Sequence, residues 1–376
     1  MKSWIALVAC VVGCGPAVHP NPGTIDPAFF QPIEGKHPDL KIASTAPDPS
    51  APRMRVHLID VGQGASTLVE FSCGAILIDT GGEANSEFDS TDSLLTYLDA
   101  FFASRPDLDK TLSLLLLTHD HIDHTRGANP VFARYHVKNV VTDGLTASSG
   151  GYEQGELIDA AKKAGIGVED INANVIKHQG FTDSIIDPIK CQDSDPKIEV
   201  LWGAADRSDV NWDGRAYKND NNHSVATKIT LGSASIVITG DLELDGIEAM
   251  LERFKGTNAL DADVYEVGHH GSYNATTKEL LDAITPKIAL IAMGPATRNE
   301  SFSAKEYGHP RIESVELLEK ALSGPRRRPV TKPIGRAHDQ FVDKRITAPI
   351  YATGWDGDVM VTMFADGRID VTTDKR

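Results

Sequence analysis

Residues 112–124, LSLLLLTHDHIDH, constrain this chain more than any other stretch. An unbroken apolar run reads as a strand covered on both faces, so the fold must supply layers above and below it. Directly after it come His119, His121, Asp123 and His124, four metal-capable side chains within six residues. In extended backbone His119 and His121 point the same way and can bind one cation. Past a turn, Asp123 and His124 face a second position close by. Imidazole and carboxylate together suit zinc, and also manganese or iron. The end of a rigid strand is a common place for catalytic groups. The bland alternative is a polar loop that is merely rich in histidine.

The pattern on either side agrees with a layered α/β chain. MRVHLIDV, STLVEF and AILIDT read as strands, SLLTYLDAFFA as a helix and KNVVTD as a short strand. GELIDAAKKAGI reads as a helix with Gly165 near its end. SVATKITLGSASIVITGD reads as two strands around Gly232. GIEAMLERF, TKELLDAI and RIESVELLEKAL then read as helices, and ADVYEVG and KIALIAMG as strands. The tail reads as short strands joined by Asp-Gly turns. Two strand-rich blocks, each followed by helices, predict two sheets packed face to face with helices outside. Residues 145–220 are expected to form an irregular insertion, rich in Asp and Asn.

The N-terminus reads as an export signal of residues 1–14. Lys2 precedes an apolar stretch too short to span a membrane, which ends in VVGC. That site fits a bacterial lipoprotein, with Cys14 carrying the lipid and tethering the protein to the envelope. An ordinary signal peptide containing cysteines is the alternative. Residues 15–53 hold nine of the chain's 20 prolines and read as an extended linker, leaving one domain over 54–376. Export would permit a disulfide between Cys73 and Cys191, although spacing alone does not show them to be close. The net charge of −16 argues against an extended nucleic-acid surface but not against a nucleotide or phosphodiester held at metals. Oligomeric state is not legible.

DVNWDG, residues 209–214, matches the first half of a calcium loop through Asp209, Asn211 and Asp213. Its twelfth position would be Asp220, where Glu is usual, and an Asx-rich loop is the competing reading.

THDHIDH resembles the HxHxDH signature of the metallo-β-lactamase superfamily, and further motifs follow in that family's order. AILIDTGG carries Asp79, ITGDLE Asp241, VGHHGS His269 and His270, and YGHP His309. With HLIDVGQGA and NNHS, they are most similar to one branch. It holds the hydrolase domain of the DNA-uptake channel protein ComEC and the choline-phosphate esterases of bacterial cell surfaces. The resemblance runs from Met54 to the C-terminus and is weak over 145–220. Each smaller motif alone has a bland reading, TGD as a turn, HHGS as a capped loop and His309 as packing. Their order gives them weight.

The resemblance implies an αββα sandwich of two mixed sheets flanked by helices, the metallo-β-lactamase fold. It implies two divalent metals, zinc first, with His119 and His121 on one. Asp123, His124 and His270 hold the other, Asp241 bridges them, and Asp79 stands behind the loop as a structural aspartate. Where much of the superfamily has a third histidine on the first metal, this chain has the Asn221–Ser224 run. His223 is that ligand or a residue facing elsewhere. Asp123 and His269 are the expected catalytic groups, and Asn222 and His309 the expected substrate contacts. The implied chemistry is hydrolysis by a hydroxide held between two metals, on a phosphodiester of nucleotide, DNA or choline-phosphate type. The rivals are a β-lactamase, lactonase or thioesterase on the same fold, and an envelope lipoprotein that binds a ligand without turnover.

Overall fold

A computed structural model describes residues 52–375 of the 376. The expected signal segment, Cys14 and all but the end of the expected linker lie outside the described residues. The chain opens with an antiparallel meander, β1 (Arg53–Leu58), β2 (Thr67–Phe71) and β3 (Gly74–Ile78). After the helix Ser90–Ser104 come β4 (Thr111–Leu112) and β5 (Leu114–Leu116), then β6 (His136–Val137), β7 (Asn139–Thr142) and β8 (Gly167–Asp170). β5, β7 and β8 extend the meander as parallel strands, while β4 and β6 form a small pair of their own. β9 (Lys197–Val200), β10 (Thr227–Leu231), β11 (Ala234–Ile238), β12 (Val264–Glu266) and β13 (Ile288–Ile291) build the second sheet. The chain ends with a hairpin of β14 (Val330–Ala337) and β15 (Gln340–Ile346), then β16 (Ile350–Ala352), β17 (Val359–Phe364) and β18 (Ile369–Thr373).

The layers follow from the alternation of side chains along strands. Leu114 and Leu116 join Val56, Val69 and Ile76 in the core between the sheets, facing Ile229, Ile236, Val264 and Leu290 of the second sheet. Leu115 and Leu117 point the other way, onto Leu94, Leu98 and Phe101 of the helix Ser90–Ser104. Asp89 caps that helix by accepting from the backbone N–H of Thr91 and Asp92. A buried leucine contributes about 1.5–3 kcal/mol, so four in succession hold the strand, and with it the start of the segment that carries His119 to His124.

The expected strands and helices occur, and the turn between β10 and β11 is at Gly232 with φ 60°. Residues 145–220 are more ordered than their composition suggests. They supply the helix Gly151–Lys163 and one edge strand to each sheet, β8 and β9. The sequence reading also missed the β14–β15 hairpin. The tail is divided between the sheets: β16 runs parallel to β13, whereas β17 pairs antiparallel with β1. Among the described residues no helix is long and apolar enough to cross a membrane.

Cys73, in the turn between β2 and β3, is bonded to Cys191, with Cα atoms 5.4 Å apart across 118 residues of sequence. The bond staples the first sheet to the loop ahead of β9. Replacing both cysteines by serine is expected to lower unfolding free energy by about 2–5 kcal/mol, read from the urea midpoint.

A second cross-link, Asp60 N–H to Asp358 Oδ1 at 2.7 Å, joins the ends of β1 and β17. Burial pushes the Asp358 carboxyl up to about 8, reinforced by the charges of Asp60 and Asp374. The folded chain therefore holds this proton more tightly than the unfolded one. The resulting stabilisation is complete below about pH 4, declines as pH rises and is gone above about pH 8. D358N, which cannot ionise, is expected to flatten that decline in a series of urea melts across this range.

Candidate metal centre

Asp79 closes β3 in a left-handed conformation, φ 58°, which a short polar side chain tolerates. Its Oδ1 accepts from the Thr118 backbone N–H at 2.7 Å. Its Oδ2 accepts from the Thr118 hydroxyl at 2.8 Å and from His124 Nδ1–H at 2.7 Å. One buried carboxylate thus fixes both the exit of β5 and the His124 ring, turning His124 Nε2 away from itself. Close approach of the two loops depends on Gly81, where a Cβ would lie 1.8 Å from the Asp123 carbonyl.

On the far side of that ring the second sheet delivers Asp241 and His270. His124 Nε2 is 3.1 Å from Asp241 Oδ1, in the loop after β11. His270 Nε2, after β12, is 3.3 Å from Asp123 Oδ2 and 3.4 Å from Asp241 Oδ2. One donor atom from each of Asp123, His124, Asp241 and His270 lies within 4.8 Å of all the others. Donor atoms around tetrahedral zinc, with bonds near 2.0–2.2 Å, stand about 3.3 Å apart. The Nε2 atoms of His124 and His270 are buried without a hydrogen bond. His270 Nδ1–H donates to the Ala292 carbonyl at 2.8 Å, which leaves its Nε2 as the free lone pair. The residues present fit a divalent cation.

The electrostatics point the same way. Burial works against protonation of His270, yet Asp241 and Asp123 outweigh it and raise the imidazole to about 10. Burial likewise disfavours charge on Asp241, and the His124 and His270 imidazoles overcome it, holding the carboxyl well below the usual range. Without positive charge among them these carboxylates could not remain ionised in the core, and a metal would take over from the imidazole protons.

His119 and His121 sit beside this group as a pair, His119 Nε2 to His121 Nδ1 being 3.0 Å, with the His119 ring centroid 4.2 Å from that of His124. His269 lies against Asp241 and Glu243, its Nε2 3.8 Å from Asp241 Oδ2 and its Nδ1 3.2 Å from Glu243 Oε1. Burial opposes charge on His269, but Asp241 and Glu243 prevail and raise its pKa. The His309 ring lies 5.8 Å from His269 and 6.1 Å from His270 by centroids. Burial holds it neutral, aided by the charges on His269 and His270.

Three sequence expectations do not survive the geometry. His223 is not at the cluster: its Nδ1 accepts from Ala205 N–H at 3.0 Å and its Nε2–H donates to the Tyr217 carbonyl at 2.8 Å. Neither nitrogen retains a lone pair for a metal. Asn222 is fully buried and is spent on backbone, its Nδ2 donating to Ala216 O at 2.9 Å and its Oδ1 accepting from Gly246 N–H at 3.1 Å. It holds the loop rather than a substrate. The calcium reading gives way to a helix cap: Asp213 Oδ1 accepts from Arg215 and Ala216 N–H at 2.7 and 2.9 Å, and Asp220 is bonded to the Ser148 hydroxyl.

Sequence reasoning also passed over Glu243, which accepts from Asn219 Nδ2 at 2.9 Å and Asn221 Nδ2 at 2.8 Å while facing His269. Its place two residues after Asp241 was the available signal.

The family model described as the metallo-beta-lactamase superfamily matches residues 59–294. The chain belongs to this superfamily. Most of its members are metallo-hydrolases. ComE operon protein 3 of Bacillus subtilis is 28% identical over 279 residues, 70% of this chain and 30% of that protein. Recombination protein 2 of Haemophilus influenzae is 30% identical over 245 residues, 65% of this chain and 25% of that protein. These relatives are of the ComEC type that the motifs suggested, and the chain spans less than a third of their length. Among solved structures it is similar to the metallo-beta-lactamase fold protein YhfI of Bacillus subtilis, at 14% identity and a TM-score of 0.40, covering 72% of this chain and 94% of that one.

Asp79 lies outside the four-residue cluster, yet orients His124. Asp79→Asn keeps the left-handed residue and removes the charge. It is expected to weaken zinc binding about 10–100-fold, measured by competition with a chromogenic chelator.

Proposed function

We propose that this superfamily member is a two-metal phosphodiesterase acting on nucleotide, DNA or choline-phosphate-type esters. The observation carrying this reading is the placement of His269 and His309 beside a cluster of Asp123, His124, Asp241 and His270. Two imidazoles beside an ion cage suit a substrate with several anionic oxygens. His119 and His121 would hold one cation, Asp123, His124 and His270 the other, with Asp241 between them. Bound divalent cations supply Lewis-acid polarisation of the phosphoryl group and acidify water.

The chain's own residues supply the rest. Asp123 stays ionised, because His270 and His124 outweigh the cost of its burial, and accepts a hydrogen bond that orients the attacking water. Water oxygen bonds to phosphorus as the ester P–O bond breaks, and the proton it sheds passes by way of the Asp123 carboxylate to solvent. His269, charged beside Asp241 and Glu243, delivers its proton to the departing oxygen. His309 donates a hydrogen bond to a non-bridging oxygen.

The export reading extends this proposal to place. A lipid on Cys14 and the linker 15–53 would hold the domain at the bacterial cell envelope, where it would meet small or nucleotide-type substrates.

The test is a hydrolysis panel on metal-loaded protein: a bis-aryl phosphate, an aryl phosphorylcholine, a chromogenic cephalosporin, a lactone and single-stranded DNA. Turnover of a phosphate ester is expected, with about two metal equivalents bound, and loss of turnover in Asp123→Ala. Activity on the cephalosporin or lactone alone would overturn the substrate reading, and absence of bound metal would favour a binding lipoprotein.

A further inference from the structure

The VGQG turn between β1 and β2 has no role in the proposed function, yet its central side chain reaches His309. Gln63 is 2% exposed, and its Nε2 lies 3.0 Å from His309 Nδ1. The turn is clamped from behind. Gln63 backbone N–H donates to Glu83 Oε1 at 2.9 Å. The other Glu83 oxygen accepts from Asn85 Nδ2 at 3.2 Å and pairs with Arg298. Gly62 and Gly64 flank Gln63 with φ of 72° and 142°, and a Cβ on Gly64 would come within 2.5 Å of the Asp123 carbonyl oxygen. The turn therefore packs against the metal loop while pointing one amide at His309.

We propose that Gln63 is a positioning residue that fixes the tautomer of His309, keeping its proton on Nε2 as a donor toward an anionic oxygen of the substrate. A neutral imidazole carries one proton, and which nitrogen holds it is set by the partner of the other. An amide N–H pointing at Nδ1 makes that nitrogen an acceptor, so the proton sits on Nε2. The Nδ1–H tautomer would instead turn a lone pair toward the substrate's negative oxygens. Gln63 is buried and acts through His309. Its role rests on the donor function given to His309 above.

The experiment is histidine nitrogen NMR on full-length, zinc-loaded protein, combined with kinetics on a bis-aryl phosphate. Wild type is expected to show a pyridine-type Nδ1 and a pyrrole-type Nε2 at His309, assigned by its loss in His309→Gln. Gln63→Met, of similar length and without hydrogen-bonding groups, is expected to give mixed tautomers and a fall in kcat/KM on the order of tenfold. Gln63→Glu, whose carboxylate accepts from Nδ1–H, is expected to move the proton to Nδ1 with a larger loss. Thermal melts separate misfolding from this effect. A wild-type Nδ1–H tautomer, or an unchanged tautomer in both variants, overturns the proposal. A shifted tautomer with undiminished turnover upholds the lock and removes His309 from the catalytic reading.

Discussion

Everything at this site leans on the Asp79 carboxylate. It is buried, it sits on left-handed backbone, and it accepts three hydrogen bonds from the segment that follows β5. A carboxylate in such a place is costly unless each lone pair is used. Here the donors are the first peptide of the metal loop and one of its histidines. The loop cannot relax without leaving Asp79 unpaired, so the packed sheet transmits its rigidity to His124.

The centre is also where two sheets are made to depend on each other. Asp123 and His124 come from the first, Asp241 and His270 from the second. In a core of leucine, valine and isoleucine, two carboxylates side by side need compensating positive charge. Imidazolium can provide it, and a divalent cation does so more fully. This arrangement explains why a protein with net charge −16 concentrates histidine at one point. Glu243, Glu83 and Gln63 extend the network outward, Glu243 against His269, and Glu83 against the Gln63 backbone whose side chain meets His309.

Much of this was legible beforehand. The doubly buried strand, the helix capped by Asp89 and the β10–β11 hairpin follow from local periodicity and turn chemistry. Asp123, His124, Asp241 and His270 were recognisable because each lies in a motif whose order along the chain carries information. Asn222 was misjudged and His223 left open for one reason: a side chain in a motif shows what it can bind, and not whether backbone has already claimed it. Residues 145–220 looked irregular because β8 and β9 are edge strands only four residues long, too short for alternation to register.

By itself the sequence determined the layer order, the buried strand and the chemical identity of the candidate metal-holding residues, because each is encoded in short motifs whose spacing maps directly onto a strand, turn or helix. Only the tertiary structure decided that the tail divides between the two sheets, that Cys73 meets Cys191, that His223 faces away and that Gln63 reaches His309. Those pairings join positions from 18 to more than 300 residues apart. They are settled by which surfaces bury one another when the sheets close, and no local pattern contains that information.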